Sequence, residues 1–167
     1  MYTNNKVGNV IYKVIEYFGD DVRRINHFLK VYGYVKMIGE CENLDDSMQE
    51  ILEVTAVLHD VGIKLAEQKY NSSAGHYQQL EGPPVAKKIL DELGYPDDFV
   101  ERVMYLIAHH HTYTNIDGMD YQILVEADFL VNADEDRLSS DAIENFKEKI
   151  FKTTTGIAVL ENNYLNL

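Results

Sequence analysis

The sequence predicts an all-α protein of one domain with six to eight helices. Three observations predict it. Apolar residues recur at spacings of three and four along nearly the whole chain. Glycine, proline and acidic residues stand where helices would begin and end. No segment alternates strictly between polar and apolar residues, and no repeat, linker or low-complexity tract interrupts the pattern.

The elements follow in order. Val10, Ile11, Val14, Ile15 and Phe18 give a first helix from about Gly8 to Phe18, stopped near Gly19. Asp20 and Asp21, whose charge suits a helix N-terminus, open a second that runs through Ile25, Phe28, Val31, Tyr32 and Val35 towards Ile38. Asp45, Asp46 and Ser47 open a third, with Glu50 placed to complete a capping box from Ser47. Ile51, Leu52, Val54, Val57, Leu58 and Val61 make this helix apolar on most sides, which marks it as central. Residues 66–80, AEQKYNSSAGHYQQL, are polar and mixed; they read as a loop, and 67–80 as a lid. Pro83 and Pro84 suit the first turn of a helix that ends at Gly94. Another starts at Tyr95-Pro96-Asp97-Asp98 and passes Val100, Val103, Met104 and Ile107 into His109-His110-His111. After a turn at Asp117-Gly118 comes a helix from about Asp120 to Asp134, and one or two more finish the chain.

At 167 residues, 46% of them apolar, the chain is long enough to bury a core. Its formal charge of −13 argues against long nucleic acid as a partner, because counterion release needs clustered Lys and Arg. A small phosphate ligand is compatible with that charge if a bound cation sets the local field. The single cysteine, Cys41, can form no internal disulfide, which fits a reducing compartment. The opening MYTNNKVGNVIYKV lacks the apolar segment of a signal peptide, and no stretch approaches the ~18 apolar residues of a membrane span. The expected location is the cytoplasm, away from membranes, and twelve tyrosines leave both a monomer and a homodimer open.

Within this frame AVLHDVGIK, residues 56–64, is conspicuous: His59 and Asp60 interrupt a nearly apolar run. A charge buried without a partner is costly. His59 continues the row Met48, Ile51, Leu52, Thr55, so it points where its helix points its core. His27 shares a face with Val31, Val35 and Ile38, and Asp128 lies on the row Tyr121, Leu124, Val125. Three helices thus each send a His or Asp inward. Taken singly, His27 can be an ordinary core histidine, and Asp128 can pair with Lys64, Arg23 or Arg24. Taken together, two imidazoles and two carboxylates suit one Zn²⁺, Mn²⁺, Fe²⁺, Co²⁺ or Ni²⁺ ion, which would compensate all four groups.

The order His27, His59-Asp60, Asp128 resembles the H…HD…D signature of the HD-domain metal-dependent phosphohydrolase superfamily. RRINHFLKVYGYVKMIGE is similar to that family's first-histidine helix, VTAVLHDVGIK to its HD helix, and EGPPVAKKILDELGY to the helix after it. VMYLIAHHHTYTN is similar to the later histidine helix and LVEADFLVN to the final-aspartate helix. The resemblance spans about residues 20–135, with C-terminal helices over 136–167. It implies an HD-like helical bundle in which His27, His59, Asp60 and Asp128 hold one divalent transition metal. Dinuclear members carry a further histidine just before the glycine of EGPPVA. Here Gln78, Gln79 and Glu81 stand nearby, and His76 lies six residues ahead of Gly82. A dinuclear site would have to use Glu81 or a displaced His76, so one tightly held ion is expected, and Glu81 could still recruit a weaker second one.

His109, His110 and His111 span about 200° of helix and cannot all reach one ion. His110 continues the apolar row and is the first choice for substrate phosphate or a second metal, with His109 second; a polar helix end is the plain alternative. The resemblance implies hydrolysis of a phosphate ester of a small metabolite, most simply a nucleotide, by water that the metal acidifies. Asp60 or Asp128 would orient that water. Lys64 and Arg24 would meet the phosphate, and Tyr113 and Asn132 would line the cleft. Two other readings stay open: a non-catalytic metal-binding or sensing domain, and a di-iron oxygenase on the same scaffold.

Overall fold

The helix ends are written in local chemistry. Gly19 ends α1 (Lys6–Phe18) by adopting a left-handed φ of 66°, which lets its N–H reach the Ile15 carbonyl at 2.9 Å. Asp21 caps α2 (Val22–Cys41) by accepting from the Arg24 amide. Asp45 caps α3 (Asp46–Leu58) by accepting from the Met48 amide, so the expected box from Ser47 to Glu50 does not form. There follow α4 (Ile63–Tyr70), α5 (Gly75–Glu92), α6 (Asp97–His109), α7 (Met119–Glu135), α8 (Ser140–Ile150), α9 (Thr154–Leu160) and a π-helical turn, Glu161–Leu165. These elements account for an all-helical chain over residues 6–165, the part that this computed structural model describes. The expectation drawn from the first five residues, and the last two of the C-terminal segment, lie outside it.

Two boundaries depart from the sequence reading. Residues 66–80 are not a loop: α4 continues to Tyr70, Asn71 ends it in the left-handed conformation, and α5 is already helical at Gly75. The proposed lid at 67–80 shrinks to the four residues 71–74. Pro83 and Pro84 accordingly lie inside α5 rather than at its start. The physical reason is what α5 packs against. Gln78, Glu81 and Gly82 are buried by neighbouring elements, and a Cβ on Gly62 would lie 2.6 Å from the Gly82 nitrogen. Tertiary contact thus extends a helix that its own apolar pattern does not announce.

The core has two parts. Val10, Val14, Phe28, Val57, Leu58, Leu90 and Val103 join α1, α2, α3, α5 and α6. Val35, Ile38, Leu52, Leu124, Leu130, Ile143 and Leu160 join α2, α3, α7, α8 and α9. Both parts draw on α2 and α3, and α7 buries twelve of its seventeen residues, which makes it central. Among the described residues no helix is long and apolar enough to cross a membrane.

Candidate metal centre

The polar residues that α2, α3, α6 and α7 send inward meet at one end of this core. His59 stands at the C-terminal cap of α3, and Asp60 in the turn before α4 rather than within a helix. His59 is fully buried, while His27 and Asp128 are 8% and 5% exposed. The two imidazole Nε2 atoms of His27 and His59 lie 3.3 Å apart. His27 Nε2 is 3.4 Å from Asp60 Oδ2 and 3.3 Å from Asp128 Oδ1, and His59 Nε2 is 3.5 Å from each.

The outer hydrogen bonds of the two rings decide which nitrogens face inward. His59 Nδ1 faces the Ala56 carbonyl at 2.7 Å, and His27 Nδ1 faces Glu135 Oε2 at 2.9 Å. Both partners only accept, so both Nδ1 atoms carry the hydrogen, and a neutral ring turns its Nε2 lone pair inward. Two lone pairs and two carboxylate oxygens then face one another. Either protons or a cation must compensate them. Without a cation, Asp60 and Asp128 together with the Ala56 carbonyl overcome the effect of burial and push the His59 pKa up to about 9. Burial likewise opposes charge on His27, yet Asp128 and Asp60 raise it. Against burial, the imidazoles hold both carboxyls below the usual range. The spacing fits a metal equally well, since donors ~2.1 Å from one ion stand ~3.4 Å apart in a tetrahedron.

Surrounding groups fix these ligands. Glu135, itself paired with Lys30 at 3.0 Å, orients His27, and Asn132 donates to Asp128 Oδ1 at 3.1 Å. A second group of donors adjoins the first. Asp60 turns its other oxygen, Oδ1, towards His110 Nε2 at 3.5 Å, and Asp60, His110 and His111 offer ligand atoms within 4.8 Å of one another. The Nε2 atoms of His110 and His111 are buried and receive no hydrogen bond among the described residues. Burial and the neighbouring His110 push the His111 pKa down to about 4, which keeps the ring neutral and able to ligate. Gln79 fixes the backbone here, accepting from the His111 amide at 3.0 Å.

Several expected participants sit elsewhere. His109 turns away, donating from Nδ1 to the Tyr105 carbonyl at 2.7 Å with its ring against that of Tyr105. His111 takes the place expected for it, because His111 lies four residues beyond Ile107 on the inward row while His109 faces the other way. Glu81 is held by Lys69 at 2.6 Å and by the Tyr70 hydroxyl at 2.8 Å, and His76 packs on Tyr77; neither lines the cleft. Lys64 points to α1, donating to the Tyr17 carbonyl at 2.8 Å with its ammonium over the Tyr17 ring. Arg24 does line the cleft, yet Asp21 and Glu67 hold both arms of its guanidinium at 2.7 and 2.6 Å. Arg23, exposed beside it and lining the same cleft, makes no ion pair with a described residue. Tyr113 and Asn132 line the cleft as expected. The sequence signal for Arg23 was available, since Arg23 and His27 are one turn apart on a single face.

An ordered H…HD…D set converging on a metal-shaped cluster is matched by a family of known proteins, the HD domain, over residues 24–144. The chain belongs to the HD domain family. That places it among metal-dependent hydrolases, with His27, His59 and Asp60 as one group of donors for a metal ion and Asp60, His110 and His111 as another. Its fold is similar to that of a solved structure, a predicted HD superfamily hydrolase from an uncultured Thermotogales bacterium. The two are 23% identical, with a TM-score of 0.63 over 94% of this chain and 82% of the other. No curated protein matches the chain.

Proposed function

We propose that this HD domain protein is a divalent-metal-dependent phosphohydrolase that cleaves a phosphate ester of a small metabolite, most simply a nucleotide. The observation that carries the reading is that the Nε2 atoms of His27 and His59 lie 3.3 Å apart and each faces Asp60 Oδ2 and Asp128 Oδ1 at 3.3–3.5 Å. A bound divalent ion of the Mn, Fe, Co, Ni or Zn class would supply Lewis acidity there, polarising a phosphoryl oxygen and acidifying water. Asp60 commits one oxygen to the two imidazoles and turns the other towards His110. That leaves Asp128 Oδ2 to orient the attacking water and take its proton. Arg23 meets a phosphate oxygen from the rim, in the role first expected of Lys64.

The cleft of about 840 Å³ suits a ligand of nucleotide size. The net charge of −13 supports a small substrate over long nucleic acid, and the lone Cys41, exposed and free, supports a cytoplasmic setting. Monomer and homodimer are both compatible with a site built within one chain. The donor group of Asp60, His110 and His111 is the place for a weaker second ion.

Elemental analysis of protein purified without added metal, paired with phosphate release from a panel of nucleotides and simple esters, tests the reading. At least one transition-metal ion per chain and release by the wild type are expected. Asp60→Ala should lower that release by ~10³-fold or more, the scale on which loss of a charge-stabilising group acts. Equal activity in the variant ends the hydrolase reading. Bound metal with no release from any ester would make the chain a metal-binding sensor instead.

A further inference from the structure

The cleft is chemically divided. Apart from Ile63, its large apolar surface comes from three rings, Tyr113, Phe129 and Phe146, which adjoin one another. Phe129 and Phe146 are parallel, with centroids 3.8 Å apart and 7° between their planes. Tyr113 meets Phe146 edge-on at 5.2 Å and 83°. Most of the remaining lining is charged or polar, with Arg23 and Arg24 beside Asp21, Glu67, Glu135 and Asp136.

This wall borders the metal centre. Phe129 follows Asp128 directly, Tyr113 lies two residues beyond His111, and all four residues line the one cleft. Tyr113 is 41% exposed on the segment between α6 and α7, so its ring is not committed to the core. Phe146 comes from α8, two residues past the end of the segment that matches the HD domain. A flat aromatic face beside a site for phosphate suits a substrate with a planar ring at one end and its ester at the other.

We infer that Tyr113, Phe129 and Phe146 receive the planar ring of the substrate, with α8 as the specificity element, so that the preferred ester is a nucleoside phosphate. This rests on the phosphohydrolase reading for the ester, but not for the ring. The test compares adenosine 5′-monophosphate with ribose 5-phosphate, which lacks the ring, in wild type, Tyr113→Leu and Phe146→Leu. The metal-loaded full chain is used, and adenosine binding is measured separately by titration. The wild type should favour adenosine 5′-monophosphate in kcat/KM by ~10-fold or more, the scale of one stacked base. Both variants should lose most of that preference through the nucleotide alone, with adenosine affinity falling by a similar factor. Tyr113→Leu, at an exposed position, keeps the test valid if Phe146→Leu disturbs packing. Unchanged preference in Tyr113→Leu, or no binding of adenosine to the wild type, overturns the inference. Adenosine binding that depends on both rings, without phosphate release from any ester, would sustain the wall and reject only the hydrolase reading.

Discussion

Helix α7 carries two buried carboxylates two residues apart, Glu126 and Asp128, and they have opposite fates. Glu126 is fully buried and fully supplied with donors. It accepts from Gln122 Nε2 at 2.7 Å, from the amides of Lys152 and Thr153 at 2.7 and 3.0 Å, and from the Thr153 hydroxyl. Those contacts bind α7 to the start of α9, where the Thr153 hydroxyl in turn caps the Gly156 amide. Asp128, about 200° around the helix, faces two imidazole nitrogens whose hydrogens are used elsewhere. Burial alone does not make a functional site. What separates the two is whether the chain itself satisfies the buried group.

The comparison can be broken most sharply at Asp128. Asp128→Asn should abolish metal-induced stabilisation and reduce phosphate release by ~10³-fold or more, while the metal-free melt moves less than in any Glu126 variant. Calorimetry with and without added Mn²⁺ reads both effects. Glu126→Gln should do the reverse, since one amide cannot accept from every donor that the carboxylate serves. A loss of about 3 kcal/mol is expected, or ~6–12 °C in melting temperature, with metal content per chain unchanged. Loss of metal in that variant would erase the distinction between the two groups.

Glu135→Gln sharpens the picture one step outward. It removes the charge that orients His27 and should weaken metal binding by ~10–100-fold, measured by competition with a chromophoric chelator. The smallest effect concerns pH. The His59 pKa is raised from 6.5 to about 9 in the metal-free fold, so its contribution to stability is present below about 6.5 and fades as pH rises through about 9. Metal-free protein should therefore lose several degrees of melting temperature across that window. Added metal should stabilise more at the upper end, because it no longer competes with the protons it replaces. A metal-free melt that rises with pH would contradict the donor accounting.

Most of the helices were legible because their apolar residues repeat at helical spacing: Val10, Val14 and Phe18 in α1, or Val100, Val103 and Ile107 in α6, are buried as the pattern requires. The stretch 66–80 was illegible because α4 buries only Ala66, and the first turns of α5 are held by Gln78, Glu81 and Gly82. Those residues carry no apolar period. The inward direction of His27, His59 and Asp128 was readable, since each continues a buried row of its helix, whereas Asp60 lies in the turn after α3 and is directed by the fold. The direction of long or terminal side chains was not readable. Lys64 found Tyr17, Glu81 found Lys69, and the end of α6 exchanged His109 for His111.

By itself, the sequence determined the all-α class, the order of the principal helices and the inward direction of His27, His59 and Asp128, because helical periodicity fixes which side of a helix meets the core. Tertiary structure alone decided which cations remained free in the cleft, that Asp60 faces two groups of imidazoles, and that α8 brings Phe146 against Phe129. Those outcomes depend on the distance between atoms remote in the chain, and local spacing carries no information about that distance.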